Sequence, residues 1–130
     1  MNIAPAVYDL LRNDATVASY VATRIYPDQI PQEAVYPAIV HYKTEVSELA
    51  VISAPTTNYR ITLQIDVYCD TYGEGEAIAS AIKTVLHDYS GTVQSIAISK
   101  CYFNSQSDEN FISELKTYVT TQSYLFKVVA

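Results

Sequence analysis

The side chains with the greatest chemical potential are His41 and His87, Cys69 and Cys101, and the carboxylates Asp66, Asp70 and Glu74. A histidine works as a general base when a Ser or Cys nucleophile stands beside it. Neither histidine has such a partner at a recognisable spacing. His41 falls on the polar side of a predicted strand. His87 falls near the end of a predicted helix, where a protonated imidazole interacts favourably with the helix dipole, so a structural role is expected there. The two cysteines each lie in a strand-like run, without CxxC and without a histidine at ligand spacing. They are expected to be buried free thiols of a reducing compartment. Asp66 and Asp70 share a strand face but lie two strand repeats apart, and no fourth oxygen ligand for a cation follows from the sequence. A solvated face with Arg60 and Lys43 as cross-strand partners is the expectation. No catalytic, metal or cofactor-binding residue is assigned.

The elements that would position these groups are clear from periodicity. In Tyr59, Ile61, Leu63, Ile65, Val67 and Cys69 every second residue is apolar, with Arg60, Thr62, Gln64, Asp66 and Asp70 between them, which is a strand wet on one face. The period then changes. Ile78, Ile82, Val85, Leu86 and Tyr89 form one helical stripe. Thr71 and Glu74 have capping-box spacing, so this helix begins near Tyr72, and Gly91 is placed to end it in a left-handed cap. Earlier, Ile3, Val7, Leu10 and Leu11 keep helical spacing with Pro5 in the first turn, and Asp14 caps a second helix through Ala15 to Val21. These two pieces predict a helical hairpin against the sheet.

Ile25 and Tyr26 suggest a short edge strand, followed by a connection stiffened by Pro27, Pro31 and Pro37. Ala38 to Ser47 alternates, with Ala38, Val40, Tyr42 and Val46 on one side and His41, Lys43, Glu45 and Ser47 on the other. A third main strand is expected through Val93 to Phe103 and a fourth through Lys116 to Val129, with Ser105 to Asn110 as a polar turn between them. A helix one strand long should return the chain, making the third strand parallel to the second and each flanking pair antiparallel. The expected fold is α+β, one domain over residues 1–130: a mixed, mainly antiparallel four-stranded sheet with one long helix and the N-terminal helical hairpin packed on it.

With 130 residues, 49% hydrophobic and 17% charged, the chain can bury one core without metal or disulfide. A net charge of -6, with 8 basic residues scattered singly along the sequence, argues against a nucleic-acid binder. It is compatible with a protein that DNA passes without sticking to it. No apolar run approaches the roughly 20 residues needed to span a bilayer. An aqueous, cytosolic setting is expected.

Twelve tyrosines and no tryptophan favour strands and contact surfaces over a base-stacking platform. The connection Glu48 to Thr57 is oddly apolar, with Leu49, Val51 and Ile52, and Phe111 and Ile112 pose the same question in the other long connection. These five residues are the candidate interface, because exposed apolar groups either fold back or dock.

In order along the chain, Arg24-Ile25-Tyr26-Pro27, Gln29-Ile30-Pro31 and Tyr36-Pro37-Ala38-Ile39-Val40 are followed by Tyr59-Arg60-Ile61-Thr62-Leu63-Gln64-Ile65-Asp66-Val67-Tyr68. The helix opening Tyr72-Gly73-Glu74-Gly75-Glu76-Ala77 and the spacing of Val85 to Gly91 complete the set. This ordered set resembles the tail-completion, or tail-terminator and tail-to-head joining, proteins of long-tailed bacteriophages and prophages. The resemblance implies a small structural virion subunit that forms a ring, commonly of six, at the head-proximal end of the tail tube. Its partners would be the tail tube protein, the head-completion or connector protein and its own copies, with DNA passing through unbound and no membrane involved. It would assemble in the host cytoplasm, and ring closure on the tube as template can leave the free subunit monomeric. Three other readings stay open at this point: a neighbouring connector or tube subunit, a small ligand-binding or enzymatic domain using Asp66, Tyr68 and His41 on an open sheet face, and a dimeric regulatory module with a closed two-fold assembly.

Overall fold

The computed structural model describes residues 2–31, 34–49, 58–112 and 117–129, with the backbone alone at residues 49 and 108–112. Three helices and six strands follow in the order α1 (Ala4–Arg12), α2 (Ala15–Val21), β1 (Ile25–Pro27), β2 (Ala38–Leu49), β3 (Asn58–Cys69), α3 (Tyr72–Leu86), β4 (Gly91–Val93), β5 (Ile96–Ile112) and β6 (Thr117–Val129). The strands form one sheet ordered β1-β2-β3-β6-β5-β4.

The predicted caps hold. The Asp14 carboxylate accepts from the Val17 amide at 3.0 Å, and the Thr71 hydroxyl accepts from the Glu74 amide at 3.3 Å. Both stand in extended geometry just outside their helices, where four backbone donors lack intrahelical partners. The far end of α3 differs from expectation. The helix stops at Leu86, and the left-handed residue is Asp88 (φ 67) rather than Gly91, which begins β4.

The sheet also departs from four strands. β3 is paired with β6, not with β5, so β5 runs in the same direction as β3 but with β6 between them. The parallel pair is the short β1 on β2, at the opposite edge. Residues 105–110, expected as a turn, lie inside β5 and continue its ladder with β6. Their polarity is tolerated because β5 is an edge there and needs no apolar pattern to stay paired.

One face of the sheet carries the core. Ile61, Leu63, Ile65, Val67 and Cys69 of β3 are buried beside Tyr124, Phe126 and Val128 of β6 and Cys101 of β5, under Ile78, Ile82 and Leu86 of α3. The expected odd-numbered stripe of β3 is therefore the inner one. In β2 the inner residues are Ile39 and His41, directly opposite Val67 and Ile65, and a bulge at Thr44 then turns Val46 to the side of Ile61. That extra residue is why simple alternation grouped Val46 with Ala38, Val40 and Tyr42.

The first helix lies across the sheet, touching β1 and β2 at one edge and β4 at the other. Asp9 also accepts a hydrogen bond from Gln94, in the turn after β4. A twisted sheet is a saddle, so one diagonal bends toward each face. The first helix thus follows the diagonal from β1 to β4.

Replacing Asp14 by Ala is expected to lower stability by about 1 kcal/mol, with Ser largely restoring it. Urea unfolding followed by circular dichroism checks this.

Candidate functional site: the open edges and the helix-free face

The edge strands cover little of their neighbours. β1 pairs with β2 only from Ile39 to His41, and β4 pairs with β5 only from Ile96 to Ile98. Asp88 and Tyr89 add two backbone bonds to Cys101. The runs 43–49 of β2 and 104–112 of β5 pair with β3 and β6 on one side and have no strand on their outer side among the described residues. These open runs lie at diagonally opposite corners, because Lys43 is level with Leu63, Tyr124 and Phe103 across the sheet.

On the helix-free face Asp66 is the central polar group. Its carboxylate accepts from the Thr121 hydroxyl at 2.9 Å, from Gln64 Nε2 at 3.2 Å and from the Tyr42 hydroxyl at 3.5 Å. Three donors within the sheet occupy it, so it forms no cluster with Asp70 or Glu74; no group of three metal-ligand side chains occurs among the described residues. Tyr68 stacks on Tyr36 with ring centres 6.1 Å apart, next to the buried Ala38 and Val40. Burial, and then the Asp66 charge, raise the hydroxyl pKa of both Tyr42 and Tyr68. These rings stay neutral.

His41 corrects a sequence expectation. It sits on the inner face, 2% exposed, on the opposite side of the sheet from Asp66 and Tyr68. The three therefore do not converge. His41 borders a cleft of about 240 Å³ lined also by Ile3, Pro27, Asp28, Lys43 and Leu63, and its Nε2 has no hydrogen-bond partner in the protein. Burial lowers its pKa to about 4, so it is neutral at pH 7. Lys43 and Arg60 likewise fall on opposite faces and do not act together.

His87 is structural, as expected, but by a different contact. It caps α3, and its Nδ1 accepts from the Phe103 amide at 3.1 Å, filling a donor at a β5 bulge; Nε2 stands 3.5 Å from Asp88. Cys69 and Cys101 are free and buried, with burial pushing both thiols up to about 12. Such thiols are poor nucleophiles.

Among the candidate interface residues, Leu49 ends β2 and Phe111 and Ile112 end β5, with only their backbones described; Val51 and Ile52 lie outside the described residues. The basic residues are less scattered than their sequence spacing suggests. Arg60, Lys127 and Lys100 stand directly opposite one another on three adjacent strands. Only the register, which sequence spacing does not give, could have brought them together.

The family model described as "Tail completion protein gp17" matches residues 5–120. The chain belongs to this family. It is accordingly a structural protein of the virion tail and not an enzyme. A chain in the solved virion of a native gene transfer agent (GTA) particle has the same fold, with a TM-score of 0.74 at 17% identity over 99% of this chain and 100% of that one. No curated protein sequence matches.

The His41 imidazole is less basic folded than unfolded, so the unfolded chain binds the extra proton between about pH 6.5 and 4. Stability should be full above pH 6.5 and fall as the pH drops toward 4, by at most about 3 kcal/mol. Urea midpoints across this window, with His41→Phe removing the trend, are the check.

Proposed function

We propose that copies of this chain close into a ring at the head-proximal end of the tail tube, where the ring stops tube polymerisation and joins the tail to the head-completion proteins. The observation that carries this is the pair of open strand runs on opposite edges of one sheet. β2 and β5 run in opposite directions, so the β2 edge of one copy can pair antiparallel with the β5 edge of the next. Such a contact is heterologous and forms a ring if the rotation closes.

The offset between the runs fits closure. Val46 is level with Ile61, and Ser107 with Asp66, so the centres of the two runs differ by about five residues. That is roughly 17 Å of rise across four strands about 19 Å wide. The slope is about 40°, within the strand tilt of closed barrels. We place the helix-free face inside this ring and the helices outside. Six copies would contribute about 24 strands, enough to enclose a passage for duplex DNA.

The two long hairpins point to opposite ends of such a ring. The β2–β3 hairpin ends at the pair Leu49 and Asn58, beside Val129, whereas the β5–β6 hairpin ends at Ile112 and Thr117, beyond Cys69. Leu49 stands at one end and Phe111 and Ile112 at the other, and these three together with Val51 and Ile52 are the apolar docking residues we assign to the two neighbours, tube and head-completion protein.

Light scattering should find a monomer for the pure chain and a ring only when tail tubes are added; a stable dimer in both conditions would overturn the proposal. A second test uses the strand edge. The Ile39 amide and the His41 carbonyl bond toward β1, and the bulge at Thr44 transfers this outward phase to Val46. Val46→Pro removes an outward donor while sparing the β2–β3 ladder. It should fold with a thermal midpoint within a few degrees of the parent, yet leave tubes uncapped and overlong in electron micrographs.

A further inference from the structure

The charge row on the helix-free face goes beyond ring formation. Arg60 on β3 is directly opposite Lys127 on β6, which is directly opposite Lys100 on β5. The Lys127 and Lys100 ammonium groups lie 5.7 and 6.0 Å from the same ring, Tyr102, which places both on one side of the sheet independently of the register. With strands about 4.8 Å apart, three cations at one level fall within roughly 10 Å. They are three of the 8 basic residues in a chain of net charge -6.

Like charges directly opposite in a sheet repel. Lys100 is relieved by Asp88 at 3.3 Å, but no carboxylate pairs with Arg60 or Lys127 among the described residues. The alignment is also specifically built. Ser99 is the extra residue of a bulge that brings Lys100 opposite Lys127, and its hydroxyl donates to the Lys127 carbonyl at 3.1 Å. A sheet that gathers cations at the cost of their repulsion holds them ready for an anion.

We propose that Arg60, Lys127 and Lys100, flanking Tyr102, form a basic rung that contacts the phosphate backbone of duplex DNA. The choice of DNA rests on the ring reading, in which this face lines the passage and the rung repeats at one level in every copy. A band of that kind meets a passing polyanion at each step regardless of base sequence. The rung lies on the flat of the sheet, two residues inside the end marked by Asn58 and Val129, so in the ring it would face the passage near one rim. Three phosphate contacts give a weak, salt-sensitive attachment, with log affinity falling against log salt at a slope of about -2.7. Such contacts hold without arresting.

The test is a nuclear magnetic resonance titration of the full chain with a short blunt DNA duplex at several low salt concentrations, with poly-glutamate of matched charge as a parallel probe. Expected shifts centre on Arg60, Lys100, Tyr102 and Lys127, and the triple variant R60Q/K100Q/K127Q should lose affinity at least tenfold while still capping tubes. Equal binding of poly-glutamate would reassign the rung to an acidic protein surface and overturn the proposal. So would an unchanged affinity in the variant, or no shifts at the rung. Tube capping reports on the ring separately: normal capping without rung shifts sinks this inference alone, and rung shifts without capping sink the ring alone.

Discussion

Twelve consecutive residue pairs join β3 to β6, and their alternation decides which side of the sheet is dry. Along this ladder Ile61, Leu63, Ile65 and Val67 face Phe126, Tyr124, Gln122 and Thr120 across the inner side, and all eight are buried. Shifting it by one residue would carry every one of these side chains to the other face. The positions of α3 above, of β2 and β5 alongside, and of the polar outer residues all follow from this single register.

A small polar set inside the core makes that register harder to slip. Gln122 is fully buried, yet its amide nitrogen donates to the Ala79 carbonyl of α3 and to Gln106 of β5, each at 3.0 Å, and its oxygen accepts from the Tyr124 hydroxyl at 3.0 Å. One side chain thereby ties helix and two strands together. Any alternative pairing would leave these groups buried without partners, which costs more than the bonds themselves contribute. Close contact at Gly75 adds a steric constraint: a Cβ there would stand 3.2 Å from the Thr120 hydroxyl, so α3 lies nearer β6 than a larger residue allows.

Local signals survived folding well. Alternation in β3, the stripe of α3, the caps at Asp14 and Thr71 and the hairpin of α1 and α2 depend on neighbours in sequence, and each was legible. What failed depends on partners far along the chain. The polar stretch of β5 looked like a turn because nothing local shows that β6 pairs with it, and the insertion of β6 beside β3 is a matter of topology. His41 was misplaced because a polar residue among alternating ones is assigned outward, whereas here it fills the inner side under α1. The bulge at Thr44 broke the phase of β2 without any glycine or proline to announce it. The family resemblance carried further than any of these, since it draws on the whole chain at once.

The two three-residue strands at the margins look dispensable, yet they decide what the sheet cannot become. Joining copies side by side at one height would bring β5 against the stretch of β2 that is level with it, and there β4 stands in the way on one side and β1 on the other. Flat, endless ribbons of the amyloid kind need that flush alignment along an unobstructed edge. By blocking it, six residues leave the two long bare margins only the staggered pairing.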